Sequence, residues 1–557
     1  MTELLVVIVA ALLVIAAATL LGPRLGIASP LVLVVIGVLA SLVPAIGSVH
    51  VEPEWILEGV LPPLLYSAAV SMPSMNFRRE FGAISGLSVL LVVASSVLLG
   101  LFFAAVIPGL GLAWGVALGA IVSPTDAVAT SIVRQTSVSP RVVAILDGES
   151  LLNDATALVL LRTAIVATAA SFSFWGAVGT FAWSVALAGV IGGAVGWLNL
   201  VVRRRVTDPT VNTVISFTVP FLAAVPAELL GASGLVAAVV AGLVTGIRAP
   251  RDLSPQNRLS DAQNWRTVEL VLEGLVFLTM GLQITAVVTD VQRDHAGVGT
   301  AVLVAAGALV LTVLVRAAYV APLLRHLGRR SRRGLQMQDR LQGMQEKMTT
   351  PEGKQETFAE MNARGGRRAS ERDLDRFAVR ISRLLADIDY FRRAPLGWRE
   401  GTAVVWAGMR GAVTVAAAQT LPEDTPQRSV LVLVAFVVAV GSLVVQGGTI
   451  GPLLRRTAPP VDRLAVVERD TAERTQIMEL LRARNETIPH PALPDGAPRH
   501  EQFEVEKRYR LEVLAAQRST LLDARDNGTF DADVLAHVLA GLDADQIAIE
   551  MRGRPVD

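Results

Sequence analysis

Long apolar stretches separated by short charged loops dominate the chain up to about residue 456. Taking about 20 apolar residues as one bilayer crossing, thirteen stretches qualify, at 3–22, 26–47, 55–72, 82–107, 111–134, 140–170, 173–202, 208–226, 230–247, 265–289, 297–323, 400–420 and 427–454. The pattern predicts an all-α, polytopic membrane protein. Its parts are a transmembrane region 1–324, a polar insertion 325–399, two last crossings within 400–456 and a helical tail 457–557. The first stretch, Glu3 to Gly22, has no basic segment before it and is a full span long, so it reads as a transmembrane helix rather than a signal peptide.

Loop charge then gives an orientation, because cytoplasmic loops collect Arg and Lys. With the amino terminus outside, the inner loops hold Arg24, Arg78, Arg79, Arg134, Arg141, Arg203 to Arg205, Arg248, Arg251, Arg258, the stretch 325–399, Arg455 and Arg456. The outer loops hold Glu52, Glu54, Glu228, Asp290, Asp294, Glu423 and Asp424, with Arg293 as their basic residue. Dropping one crossing would scramble every later loop. The insertion carries Gly365-Gly366 and alternating charge, which suits exposed helices or disorder on the cytoplasmic side. After Pro459 the tail places Leu511, Val513, Leu514, Leu521 and Leu522 among Glu and Arg, then Asn527-Gly528 as a turn, and reads as an accessory helical domain.

Composition agrees with a lipid-embedded chain: 52% of residues are hydrophobic and 18% charged. With 50 Lys and Arg against 49 Asp and Glu, basic character is local, and nothing asks for nucleic acid. Cysteine is absent, which excludes disulfides and thiolate metal sites. The histidines (50, 295, 326, 490, 500 and 537) fall in apparent loops or the tail, so no metal centre or cofactor is expected within the membrane.

Ionisable residues inside the apolar stretches are the informative exceptions, since an acid at mid-membrane costs roughly 2.5–3.5 kcal/mol on insertion scales. Counted along their stretches, Asp126 and Asp154 reach similar depth near the midplane. Pro124, two residues before Asp126, removes a backbone donor and predicts a broken helix, which membrane proteins tolerate beside an ion site. A simple proline kink capped by Asp126 explains the same residues. On the next stretch Asp147, Ser150 and Asp154 share one helical face, a polar stripe from the cytoplasmic end to the midplane. Hard cations prefer oxygen ligands, and this stripe together with Thr125 and Asp126 supplies them. A carboxylate out of water must be neutralised by a proton or by a cation, and the two compete for Asp154. The alternative is a satisfied structural polar group.

Glu149 lies off that face, at a depth matching Arg316, and the two predict a buried ion pair; Arg316 snorkelling to the interface is the alternative. Gly408-Met409-Arg410-Gly411 loosens the twelfth stretch, where Arg410 either balances carboxylates or caps a half-helix; close helix packing also explains the glycines. Glu273 is a weaker candidate near the inner face, as a cap or ion-pair partner. The two interrupted stretches lie seven crossings apart, an odd offset expected of inverted repeats.

The run Pro124-Thr125-Asp126, then Gly148-Glu149-Ser150-Leu151-Leu152-Asn153-Asp154, then Gly408-Met409-Arg410-Gly411-Ala412 resembles the monovalent cation:proton antiporter family of sodium/proton exchangers, in its bacterial form. The resemblance covers about residues 5–455. It implies thirteen helices with two crossed broken ones, a homodimer in the cell membrane, and a role in pH homeostasis. It implies an ion and proton site at Asp154, with Asp126, Thr125 and Ser150 as further sodium ligands. Asn153, counted with the ion- and proton-binding residues, stands where electrogenic relatives have a second aspartate, which implies electroneutral exchange. Glu149 and Arg316 match the family's stabilising pair, and Asp147, Arg410 and Glu273 are supporting charges. Ser67 departs from the pattern, standing where several members carry an acid, so one ligand is absent or supplied by water.

Three rivals share parts of this pattern. A potassium/proton exchanger uses the same ligands, and a channel could line a pore with them. An intramembrane aspartyl protease needs Tyr-Asp and Gly-x-Gly-Asp motifs, which accompany neither aspartate.

Overall fold

The computed structural model describes residues 2–25, 28–43, 52–134, 136, 138–169, 174–294, 297–364, 370–457, 463–491 and 498–552. His50, His295, Gly365-Gly366 and Pro459 lie outside them. Among the described residues all regular structure is helical. In chain order the helices are α1 (Thr2–Leu25), α2 (Ser29–Ser41), α3 (Leu61–Ser71, entered through a wide turn at Trp55–Val60), α4 (Ser74–Ser85) and α5 (Val92–Val106). A broken pair follows, α6 (Leu112–Val122) and α7 (Val128–Arg134), then α8 (Pro140–Ala169), α9 (Phe174–Arg203), α10 (Pro209–Leu229), α11 (Gly234–Asp252), α12 (Pro255–Leu282) and α13 (Ile284–Arg293). Next come α14 (Val298–Thr349), α15 (Pro351–Arg364) and α16 (Glu371–Arg393), a second broken pair α17 (Trp398–Trp406) and α18 (Ala412–Gln419), then α19 (Arg428–Ser442) and α20 (Gly448–Thr457). The tail adds α21 (Arg463–Asn485), α22 (Arg499–Asn527) and α23 (Ala532–Met551).

Helix therefore occurs at each predicted apolar stretch. Nine helices or helix runs are long and apolar enough to cross a membrane among the described residues, and Ser29–Ser41, Trp55–Ser71 and Leu112–Val122 are shorter apolar ones. Surface chemistry agrees: α1 leaves Leu5, Val6, Leu13 and Leu20 more than half exposed, a surface suited to lipid or another apolar partner rather than to water. The insertion is helical rather than disordered where described. The eleventh stretch continues without a break past Pro322 as the single 52-residue helix α14, which also contains His326.

Two compact units divide the chain: residues 1–252, 259–324 and 398–459, and residues 253–258, 325–397 and 460–557. In the first, α6 lies close against α5, so close that a Cβ at Gly119 would run into the Ser96 carbonyl. Two buried ion pairs were hidden in apparent loops. Arg141, 3% exposed, pairs with Glu80 at 2.6 Å, and Arg203, fully buried, pairs with Asp261 at 2.9 Å and hydrogen-bonds Asn212. Charge counting treats both arginines as loop residues because each sits at a helix end.

The second unit has its own apolar core, built from Ile477 and Leu481 of α21, Leu514 and Leu521 of α22, and Leu535, Val538 and Leu542 of α23. The predicted turn after α22 is a left-handed cap, Gly528 at φ +72°. Asp543 of α23 receives both Arg518, at 2.6 Å, and Arg258.

Candidate ion-translocation site

Pro124 has no N–H to continue α6, and the chain is not helical from Ser123 until α7 begins at Val128. The second break, Ala407 to Gly411, crosses the first. At the crossing the Asp126 backbone N–H donates to the Met409 carbonyl at 2.7 Å. Orphaned carbonyls at the ends of α6 and α17 are met by one guanidinium. Arg410, 2% exposed, donates Nε to Val122 O at 2.9 Å, one Nη to Ser123 O at 3.5 Å and the other to Gly408 O. Arg410 is thus a double C-terminal cap, and Ser442 of α19 fixes it by accepting its backbone N–H at 2.9 Å.

Asp126 does the reverse job. Its Oδ1 accepts the Val128 N–H at 3.0 Å at the start of α7, while the carboxylate lies against Gly411, where α18 begins. A Cβ on Gly411 would land on that carboxylate. Gly411→Ala must therefore displace Asp126, and overpacking of this kind costs about 1–3 kcal/mol. The expected outcome is exchange at least about tenfold slower in everted vesicles, with protein still recovered folded; wild-type rates would show the contact to be dispensable.

Asp126 lines a cavity of about 360 Å³. From the first break, α7 and α8 it takes Thr125, Arg134, Asp147, Ser150 and Asp154, and from α12 it takes Glu269 and Glu273. The predicted stripe is present, but its outer member is engaged: Asp147 pairs with Arg134 at 2.5 Å. Ser150 donates back to the Asp147 carbonyl at 3.0 Å. Asp154 is largely buried, lines the cavity and makes no hydrogen bond or ion pair with any described residue. Its electrostatic neighbour is the second acid, Asp126.

Other predicted groups stand behind this wall. Glu149 and Arg316, 2% and 3% exposed at their side chains, form a bidentate pair, one contact at 2.8 Å. Arg316 Nε also holds the Val404 carbonyl of α17 at 2.8 Å. Thr125 donates its hydroxyl to Glu149 at 3.1 Å and accepts the Asn153 amide at 2.6 Å. Asn153 is fully buried and absent from the cavity lining; its amide also binds the Thr125 carbonyl at 3.0 Å. Asn153 and the Thr125 hydroxyl therefore hold the break in shape. Glu273 lines the cavity within electrostatic reach of Asp126. Glu269, one turn earlier and not singled out in the sequence, shares its face. Ser67 is buried, and its hydroxyl meets Glu269 rather than the cavity. No group of three or more His, Cys, Asp or Glu with metal-binding geometry occurs among the described residues.

Crossed, interrupted helices around paired acids in a cavity define a membrane carrier for small ions. The sequence matches the family described as sodium/hydrogen exchanger, transmembrane, over residues 8–344 and 377–456, and the chain belongs to that family. It is similar to an uncharacterized Na(+)/H(+) exchanger of Mycobacterium tuberculosis, Rv2287, with 26% identity over 98% of this chain and 96% of that protein. It is also similar to an uncharacterized Na(+)/H(+) exchanger of Escherichia coli, YjcE, with 36% identity over 46% of this chain and 49% of that one. In fold it is similar to the sodium proton antiporter MjNhaP1 from Methanocaldococcus jannaschii, with a TM-score of 0.55 at 14% identity over 82% of this chain and all of that structure. The protein is a cation/proton antiporter of the membrane and not an enzyme.

Proposed function

We propose that the protein exchanges cytoplasmic sodium for external protons, one for one, through competition of the two ions for Asp154. The observation that carries this reading is the missing partner of Asp154. Every other acid named in the first break and on α8 has a guanidinium or a helix end beside it, whereas Asp154 faces the cavity with only another acid near. Such a group binds whichever positive ion arrives, and the occupant excludes the other. Asp126 and Ser150 add oxygens on the same wall. Lithium and potassium meet the same oxygens, and potassium/proton exchange is the second reading.

Alternating access is supported by a second cavity of about 780 Å³, lined by Glu54, Glu58, Arg162, Glu228 and Thr420. Along α8 the small cavity takes Asp147 to Asp154 and the large one Leu158 to Ala167. An apolar cluster containing Leu61, Leu65, Leu151, Ala155, Leu235 and Val239 lies at the changeover. On this reading the carrier, a homodimer in the inner membrane with thirteen crossings and its amino terminus outside, moves the ion past that seal.

Dequenching in everted vesicles with sodium, lithium and potassium across about pH 6 to 9 tests the reading. Competition requires the apparent KM of the preferred cation to rise as pH falls, approaching about tenfold per pH unit once the protonated site dominates. A KM flat across that range sinks the shared site, and a preference for potassium replaces sodium by the second reading.

A further inference from the structure

Two polar groups on the cavity wall take no part in holding the broken helices. Glu273 projects from α12, which packs on α1 and α2, where Gly274 meets Ile15 and Gly281 meets Gly37. It lines the cavity together with Asp126 and the first turn of α18. Glu269 has the Ser67 hydroxyl, Arg266 and Arg134 near it, but the charges near Glu273 are Asp126 and Glu269, both acids. Glu273 makes no hydrogen bond or ion pair with any described residue.

Thr414 supplies an independent sign of a ligand. It is the third residue of α18, 1% exposed, and lines the same cavity with Gly411, Ala412 and Val413. A helical threonine ordinarily turns its hydroxyl back to the carbonyl four residues earlier. Here that carbonyl, Arg410 O, has Ser442 Oγ at 3.5 Å instead, and the Thr414 hydroxyl has no hydrogen-bond partner among the described residues. A buried hydroxyl without a partner is rare in a folded protein.

We propose that Glu273 and Thr414 are cation ligands of the translocation site, the carboxylate from α12 and the hydroxyl from α18 closing on an ion held at Asp154. The inference rests on exchange at Asp154. A monovalent cation stripped of water takes several oxygens, and Asp154, Asp126 and Ser150 supply some of them. Glu273 supplies a further carboxylate beside Asp126, in the role that the family pattern gives to the position of Ser67. Because both side chains line the cavity without holding the broken helices, these ligands set affinity and ion choice rather than the rate of the loaded carrier.

The test uses the full chain in everted vesicles, with sodium, lithium or potassium chloride added at the cytoplasmic face. Glu273→Gln, which keeps shape, is expected to raise the apparent KM for the preferred cation at least about tenfold with maximal rate within about twofold, the signature of lost binding rather than lost movement. Glu273→Asp recovers most of that loss. Thr414→Val, isosteric without the oxygen, shifts the preference among the three cations, while Thr414→Ser does not. The double variant Glu273→Gln, Thr414→Val raises KM by less than the product of the single effects, because one ion is lost by both. An unchanged KM in both single variants overturns the inference, and so does a lower maximal rate at unchanged KM that Asp fails to recover. Active exchange by Asp154→Asn in the same vesicles would instead remove the underlying site, so the two failures are distinguishable.

Discussion

Asp154→Asn is expected to abolish exchange while leaving folded protein in the membrane. The substitution keeps the volume and polarity of the side chain but removes the charge that a cation needs and the basic oxygen that a proton needs. It breaks no contact, because Asp154 makes no hydrogen bond or ion pair with a described residue. Stability should therefore hold or rise, since a buried unpaired acid is costly to the fold. The expected measurement is a dequenching signal indistinguishable from empty vesicles with sodium, lithium or potassium, alongside wild-type yield and monodispersity in detergent. Substantial residual pH-driven exchange would remove Asp154 as the shared site. Reduced yield would show the group to be structural.

Glu149→Ala is expected to do the opposite, lowering the amount of folded protein before transport can be measured. The carboxylate holds both Nη groups of Arg316 and accepts the Thr125 hydroxyl, and its own backbone carbonyl accepts Ser88 at 3.2 Å. Removing it leaves the Arg316 guanidinium buried and uncompensated, a loss of about 3–5 kcal/mol. That is a large share of the roughly 5–15 kcal/mol by which a folded protein is stable. The monodisperse fraction after mild solubilisation should fall severalfold, and thermal unfolding should move down by several degrees. Replacing both partners with apolar residues of similar size should recover much of the loss, because no orphaned charge remains. Normal yield and thermal stability of Glu149→Ala would mean that the pair is not needed for folding.

The sequence makes legible those features whose cause is local. Pro124 and Gly408 to Gly411 interrupt apolar runs, and the structure breaks at both. Asp126, Glu149, Asp154, Arg316 and Arg410 stand out because charge within an apolar run is costly and asks for a reason. What stayed hidden depends on which helices meet. Arg410 left capping and charge balance equally open until Val122, Ser123 and Gly408 were seen around one guanidinium. Asn153 and Thr125 carry oxygens suited to an ion, but only the meeting of the first break with α8 turns the Thr125 hydroxyl toward Glu149 and sets the Asn153 amide N–H on Thr125. Glu269 and Glu273 look like ordinary charges near a helix start, because α12 begins at Pro255, well before its apolar part. Thr414 gives no signal at all, as a threonine in a membrane helix normally satisfies itself.

The main-chain bond from Asp126 to Met409 and the shared Arg410 cap bear on how such a carrier can travel. Sliding one interrupted helix along the other by even part of a turn would strand several amide and carbonyl groups in a dry medium at once. The junction is therefore the stiffest piece of the machine. Displacement must occur at its outer borders, where greasy side chains slip past one another with little directional penalty.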